Sequence, residues 1–258
     1  MARGMINTIV GVGTPYLKIV TWADGTDKQI VAMVEAADNG LIDLYDYWTV
    51  GDERIISLAA IPATDVGESH AAQTAVLVLM HQGGAGIKLA DGVTEPKFIV
   101  GLKHSLNEGG YMNSSNVTTN GWGGSARRSW CNNVFKNSIP VTLLPIFKNF
   151  KWKQGQGGGS SSGLVETVDT FALHPEKQIF GSVSSSFADE AALYSQLTWY
   201  ATSANRIKKL GNSGSAIDWW ECSPASGESK YFCGVDSSGD ADYGFASDTI
   251  GLAPFGCI

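Results

Sequence analysis

No run of Lys or Arg in this chain is longer than two residues; Arg127-Arg128 and Lys208-Lys209 are the longest. With 18 basic residues against 25 acidic ones the net charge is -7, so no nucleic-acid partner is expected on a basic surface. No stretch approaches the apolar length of a membrane span, so no membrane insertion is expected. The first 22 residues hold Ile9-Val10 and Ile19-Val20 but no continuous apolar run with a small-residue cleavage site, which reads as no secretory signal.

Catalytic signatures are equally scarce. The four cysteines, Cys131, Cys222, Cys233 and Cys257, show no CxxC spacing. That argues against a zinc knuckle and for buried thiols, with a Cys233–Cys257 pair left open. Gly11-Val12-Gly13 lacks the rest of a dinucleotide fingerprint, and the glycine-rich residues 155–163 lack a GK[ST] ending. There is no GxSxG elbow. The four histidines (His70, His81, His104, His174) are scattered, and Glu68-Ser69-His70 is the one local grouping of acid, hydroxyl and imidazole. The C-terminal aspartates do not follow the EF-hand pattern, and aspartates in glycine-rich turns usually cap those turns. No enzyme activity, metal or cofactor is expected.

What is present is glycine and large rings: 31 Gly, 8 Trp, 8 Tyr and 10 Phe in 258 residues that are 43% hydrophobic and 17% charged. That mixture suggests a loop-rich fold pinned by buried aromatics. Residues 5–22 read as two short β segments around Gly13-Thr14-Pro15, an attachment or oligomerisation hairpin or an extra edge pair. A helix follows, capped at Thr26 or Asp27, with Ile30, Met33, Val34 and Ala37 on one face and a stop at Asn39-Gly40. Residues 54–60, 74–80 and 98–101 read as strands, and 105–124 as a polar loop. Ser125 caps a helix to about Asn137 that turns Trp130, Val134 and Phe135 inward, and Pro140 breaks it. Residues 142–150 and 188–200 read as further helices, the second with Ala192, Leu193 and Leu197 inward. Residues 155–163 read as a flexible excursion within one body.

The C-terminal stretch has a different texture. From Asp218 to Ile258 there are seven acids (Asp218, Glu221, Glu228, Asp236, Asp240, Asp242, Asp248) and one base, Lys230. Bulky residues alternate with small and polar ones, and the chain closes on Leu252-Ala253-Pro254-Phe255-Gly256-Cys257-Ile258, an apolar strand expected to tuck into the core.

Trp219-Trp220-Glu221-Cys222-Ser223-Pro224, Tyr231-Phe232-Cys233, Ser237-Ser238-Gly239 and the closing Gly251 to Ile258 block resemble the variable proteins of diversity-generating retroelements. So do Tyr47-Trp48-Thr49-Val50-Gly51-Asp52, Gly110-Tyr111-Met112-Asn113-Ser114, the Ser125 to Asn132 block and the Ala201 to Lys209 block. The resemblance spans about residues 24–258. It implies an α+β, C-type-lectin-like fold of the variant shared with formylglycine-generating enzymes. That domain (24–258) would follow the short N-terminal β hairpin (1–23), and its variable binding region would be about 219–258. Trp219, Trp220, Phe232, Val235, Leu252 and Phe255 would fill the core. The residues between them would be diversified and displayed: Cys222, Ala225, Ser226, Gly227, Ser229, Gly234, Asp236, Ser238, Asp240, Asp242, Tyr243, Phe245, Asp248, Thr249 and Ile250. Glu228 and Lys230 fall outside the residue types such diversification yields. Tyr243 and Phe245 are natural anchors.

The implied role is receptor binding at a phage tail tip or tail fibre, or on a bacterial cell surface. The implied partners are a bacterial surface protein or glycan and other phage tail proteins, with a homotrimer suggested by the tail analogy. The alternatives are a structural protein decorating the virion or, less favoured, an enzyme of the formylglycine-generating type, whose paired active-site cysteines find no match. Glu95-Pro96-Lys97 breaks the calcium-lectin motif, so a calcium–sugar site is not carried over.

Overall fold

Thr26 begins the first helix as read from sequence: its hydroxyl accepts from the Gln29 amide and the Gln29 side chain accepts from the Thr26 amide, a capping box. Helix α1 (Asp27–Asp38) buries Ile30, Met33, Val34 and Ala37, and Gly40 behind it is left-handed. The structure, a computed structural model, describes residues 17–258. The first expected β segment of the N-terminal hairpin lies outside those residues. The second is not a strand: residues 17–21 run without ladder pairing. Trp22 is buried 5.3 Å from Trp48, and its carbonyl accepts from the Arg54 guanidinium.

After α1 come β1 (Glu53–Leu58), β2 (Gln73–Gln82), β3 (Lys88–Leu89) and β4 (Phe98–Leu102). Two short helices, α2 (Gly121–Gly124) and α3 (Ala126–Trp130), precede β5 (Phe150–Gly155), β6 (Leu164–Asp169), β7 (Phe171–Ala172) and α4 (Glu176–Phe180). The chain closes through β8 (Lys208–Lys209), β9 (Ala216–Ile217), β10 (Trp219–Pro224), β11 (Tyr231–Val235), β12 (Ala241–Phe245) and β13 (Phe255–Cys257). The class is α+β, with strands dominating and helices short. The main sheet runs β1-β2-β4-β13-β7, antiparallel throughout, so the last strand lies between β4 and β7. Smaller sheets are β3-β5-β6, β10-β11-β12 and β8-β9. No helix among the described residues is long and apolar enough to cross a membrane.

Strands β1, β2 and β4 match the sequence reading. Ser125 caps α3 by accepting from the Arg128 amide; the helix continues through a π turn at Cys131–Phe135, burying Trp130 and Phe135 with Val134 half-buried. Two expected helices are absent. Residues 142–150 make one 3-10 turn, Leu144–Ile146, before Phe150 opens β5. Pro145 lies inside that window and has no N–H to donate, so the turn in which Leu143 and Leu144 donate to the Pro140 carbonyl is not continued as a helix. Residues 188–200 form two 3-10 pieces, Ala188–Ala192 and Thr198–Ala201, and Ala192 is exposed. Here backbone amides bond to other segments, Ser195 to the Ala85 carbonyl and Leu197 to the Gln178 carbonyl, and Tyr194 turns inward with its hydroxyl on the Lys153 carbonyl. Residues 155–163 form the turn between β5 and β6, held by Gly158 donating to the Thr118 hydroxyl and Gly227 donating to the Ser160 carbonyl.

All four cysteines are buried and free. Cys233 lies in β11 and Cys257 in β13, strands of different sheets, so the pairing left open does not form.

Candidate binding surface

Strand β10 is buried along its whole length, and β12 is exposed along most of its length. Between them β11 buries Phe232, Cys233, Gly234 and Val235. The two tryptophans of β10 are fully buried, with the Trp219 indole donating to the Arg206 carbonyl and the Trp220 indole to the Gly110 carbonyl, both at 2.8 Å. Each large ring therefore fills the core with its one polar atom satisfied. The framework residues Phe232, Val235, Leu252 and Phe255 are buried as expected.

Of the fifteen residues expected on the surface, Gly227, Ser229, Ser238, Asp240, Asp242, Tyr243, Phe245, Asp248 and Thr249 are exposed. Ser226, Asp236 and Ile250 are half-buried. Cys222, Ala225 and Gly234 are buried, and for these three the expectation is corrected. Cys222 sits in a strand covered on both faces, its amide donating to the His174 carbonyl. Ala225 donates to the Tyr231 carbonyl at the base of the hairpin turn. At Gly234 a Cβ would stand 3.0 Å from the Trp219 carbonyl oxygen, so the site has little room for a side chain.

The exposed residues divide between two sides of the β11–β12 ribbon, because successive strand residues face opposite ways. On one side Tyr231 lies opposite Phe245, ring centroids 4.5 Å apart, with Tyr243 edge-on at 5.4 Å. Tyr243 keeps 54% of its surface in solvent and Phe245 38%. Tyr231, which the sequence reading passed over, holds the other two rings together. On the other side Asp242 pairs with Gly234, and Ile250 packs over that glycine. Ile250 also lines a groove of about 440 Å³ with Leu210, Ile217, Asp218 and Thr249.

The turn aspartates behave as turn formers. Asp236 accepts from the amides of Ser238 (2.9 Å) and Asp240 (2.8 Å), and Asp218 accepts from that of Ser237. Asp248 accepts from the Phe245 amide, while its own amide donates to the Phe245 carbonyl. The carboxylates of Asp240 and Asp242 make no hydrogen bond among the described residues.

The ribbon rests on the polar 105–124 loop. Met112 and Asn113 both donate to the Ala246 carbonyl, Gly110 and Ile250 exchange bonds, and Thr118 bonds the Glu228 and Ser229 carbonyls. Residues 98–258 match a family described as a domain of unknown function, DUF6273. The chain belongs to that family. No characterised protein and no solved structure matches it significantly. The DUF6273 region opens at β4 and contains the whole ribbon together with the loop beneath it. It leaves out α1 and β1 to β3, although β2 pairs with β4 in the main sheet.

Behind the ribbon the DUF6273 region hides a polar layer with no clear sequence signal. Between the Trp220–Gly234 and Pro224–Phe232 pairs, β10 bulges, so that Glu221, Cys222 and Ser223 together stand opposite Cys233. Such bulges re-aim side chains. Ser223 donates at 2.6 Å to Glu190, whose other oxygen accepts from the Gly155 amide. Burial pushes the Glu190 carboxyl up to about 7. Glu221 is buried with neither oxygen hydrogen-bonded, and burial raises its carboxyl well above the usual range. Glu176 accepts from the amides of Ser184, Ser185 and Ser186. The Glu68-Ser69-His70 grouping does not converge: His70 is buried near Trp130, and Glu68 and Ser69 are exposed.

Proposed function

We propose that this protein is a target-binding protein without catalytic activity, built on a C-type-lectin-like scaffold, whose β11–β12 ribbon and flanking turns meet a partner on a bacterial surface. The observation that carries the reading is the contrast within one short stretch. Trp219, Trp220, Phe232 and Val235 are buried, while Asp240, Asp242, Tyr243 and Phe245 nearby stand in solvent on a hydrogen-bonded frame. Exposed large rings are the side chains that dominate binding energy at interfaces. The resemblance to diversity-generating retroelement variable proteins supports the same reading and favours a place at a phage tail tip or fibre.

Replacing Asp240, Asp242, Tyr243 and Phe245 together by alanine is expected to abolish attachment of the labelled protein to intact cells across a panel of bacterial strains. The melting temperature should fall by only a few degrees, since surface changes cost about 0.5 kcal/mol or less each away from buried features. Unfolding of the quadruple variant, or undiminished attachment, defeats the reading. In the genome, a neighbouring reverse transcriptase and a near-copy of the coding repeat for residues 219–258 are expected; their absence removes the diversification component.

A further inference from the structure

Strand β12 is a sheet edge with part of its backbone left open. The Asp236 amide donates to the Asp240 carbonyl and the Ala246 amide to the Lys230 carbonyl, in the same register as the strand pairs. In an antiparallel ladder hydrogen-bonded pairs alternate, so Asp242 and Gly244 bond to β11, and Ala241, Tyr243 and Phe245 aim their N–H and C=O groups outward. Asp248 occupies both outward groups of Phe245. Those of Ala241 and Tyr243 have no partner among the described residues.

We propose that this edge takes up an extended, basic segment of a target protein as a fourth strand, paired to Ala241 and Tyr243. The proposal rests on the reading that the C-terminal ribbon is the binding surface, and it adds the mode of contact and the chemistry of the partner. Strand addition uses main-chain bonds for affinity and alternate side chains for specificity. Here the incoming side chains would alternate between the Tyr231, Tyr243 and Phe245 rings on one side and Asp242 on the other, with Asp240 at the strand end. Asp240 and Asp242 stand exposed beside the open edge with no ion-pair partner among the described residues, so the complementary strand carries Arg or Lys, and Arg also stacks on aromatic faces. A second copy of this chain is disfavoured, because antiparallel self-pairing through Ala241 and Tyr243 would bring Asp242 against its own copy. Edge acids alone would suit an edge kept free of partners, but such an edge has no use for a ring as exposed as Tyr243.

The probe is a synthetic octapeptide of alternating arginine and valine, added to the full chain and followed by amide hydrogen exchange. Protection of the Ala241 and Tyr243 amides is expected, weakening as salt is raised. Ala241→Pro removes one outward donor and no β11 bond, a substitution tolerated on an edge, and should weaken peptide binding about tenfold, the loss of roughly one net hydrogen bond. N-methylation of alternate peptide residues, tried in both sets, should abolish binding in one of them, and D240N/D242N should weaken binding and flatten its salt dependence. The proposal is overturned if neither amide gains protection, or if binding ignores both Ala241→Pro and N-methylation. It is also overturned if the free protein dimerises through this edge, or if the two amides are already protected and deletion of residues 1–16 exposes them. Cell attachment lost in the quadruple variant but kept by Ala241→Pro would defeat edge pairing alone and leave the target-binding reading standing.

Discussion

Glu190 holds a proton in the folded state at a pH where an unfolded chain would have released it. Its carboxyl moves from 4.5 to about 7, chiefly through burial. A raised folded-state value means its contribution is complete below pH 4.5 and is lost as pH climbs through about 7. Histidines act in the opposite sense over part of this range: buried His70 and half-buried His104 are lowered to about 4 and buried His174 to about 3, chiefly by desolvation, so their contribution falls away as pH drops below 6.5. The comparison that isolates Glu190 is therefore wild type against Glu190→Gln in urea melts at several pH values. Wild type should lose on the order of 3 kcal/mol relative to the variant between pH 4.5 and 7.5; a constant difference would mean Glu190 is ionised in the fold. Another residue-scale contrast separates the buried and exposed members of the expected surface. Cys222→Tyr should destabilise by about 2 kcal/mol or more, by overpacking, whereas Asp242→Tyr should stay within about 0.5 kcal/mol on the same melts. Sequence could not tell these two positions apart, because Cys222 and Asp242 are both small residues set among the large rings of the same C-terminal stretch. What separates them is that β10 is buried along its whole length, whereas β12 is an edge strand exposed at every residue but Gly244.

Among the elements, α2, α3, β5 and β6 meet at one carboxylate. Asp169 accepts at one oxygen from the Trp122 and Trp152 indoles and the Thr167 hydroxyl, and at the other from Arg128 (2.7 Å) and Asn132 (2.9 Å). It is 2% exposed. Asp169→Ala would strand a partly buried guanidinium and two buried indole donors, and a loss of about 3–5 kcal/mol is expected in chemical denaturation; a loss under about 1 kcal/mol would show that water replaces the carboxylate. Nothing in the sequence marks Asp169, since its five donors come from positions 2 to 47 residues away. Elements whose signals are local were legible: α1 from a cap at Thr26 or Asp27 and the spacing of Ile30, Met33, Val34 and Ala37, and β1, β2 and β4 from their short apolar stretches. The expected helix at 142–150 failed on a local feature, Pro145, that the apolar spacing of Leu143, Leu144 and Phe147 concealed. The one at 188–200 failed on non-local features, the inward pull on Glu190 and Tyr194.

For the molecule as a whole, the buried frame of the C-terminal region was legible from its tryptophans and closing apolar block. The arrangement of the exposed residues was not. Alternation along an edge strand sends Tyr243 and Asp242 to opposite sides, and sheet edges are decided by which strands pair, which no single stretch encodes. The placement of β13 bears on how the body is made. The main sheet cannot be completed until residues 255–257 have cleared the ribosome, for β4 and β7 have no other strand between them. Because the ribbon is translated just before that keystone, a frameshift or stop codon arising anywhere in residues 219–250 would delete or scramble this interior strand as well. Cells would then be left with an unfolded chain for their proteases in place of a folded protein with a faulty surface. Any sequence that survives in the ribbon has thereby been checked for reading frame by the core.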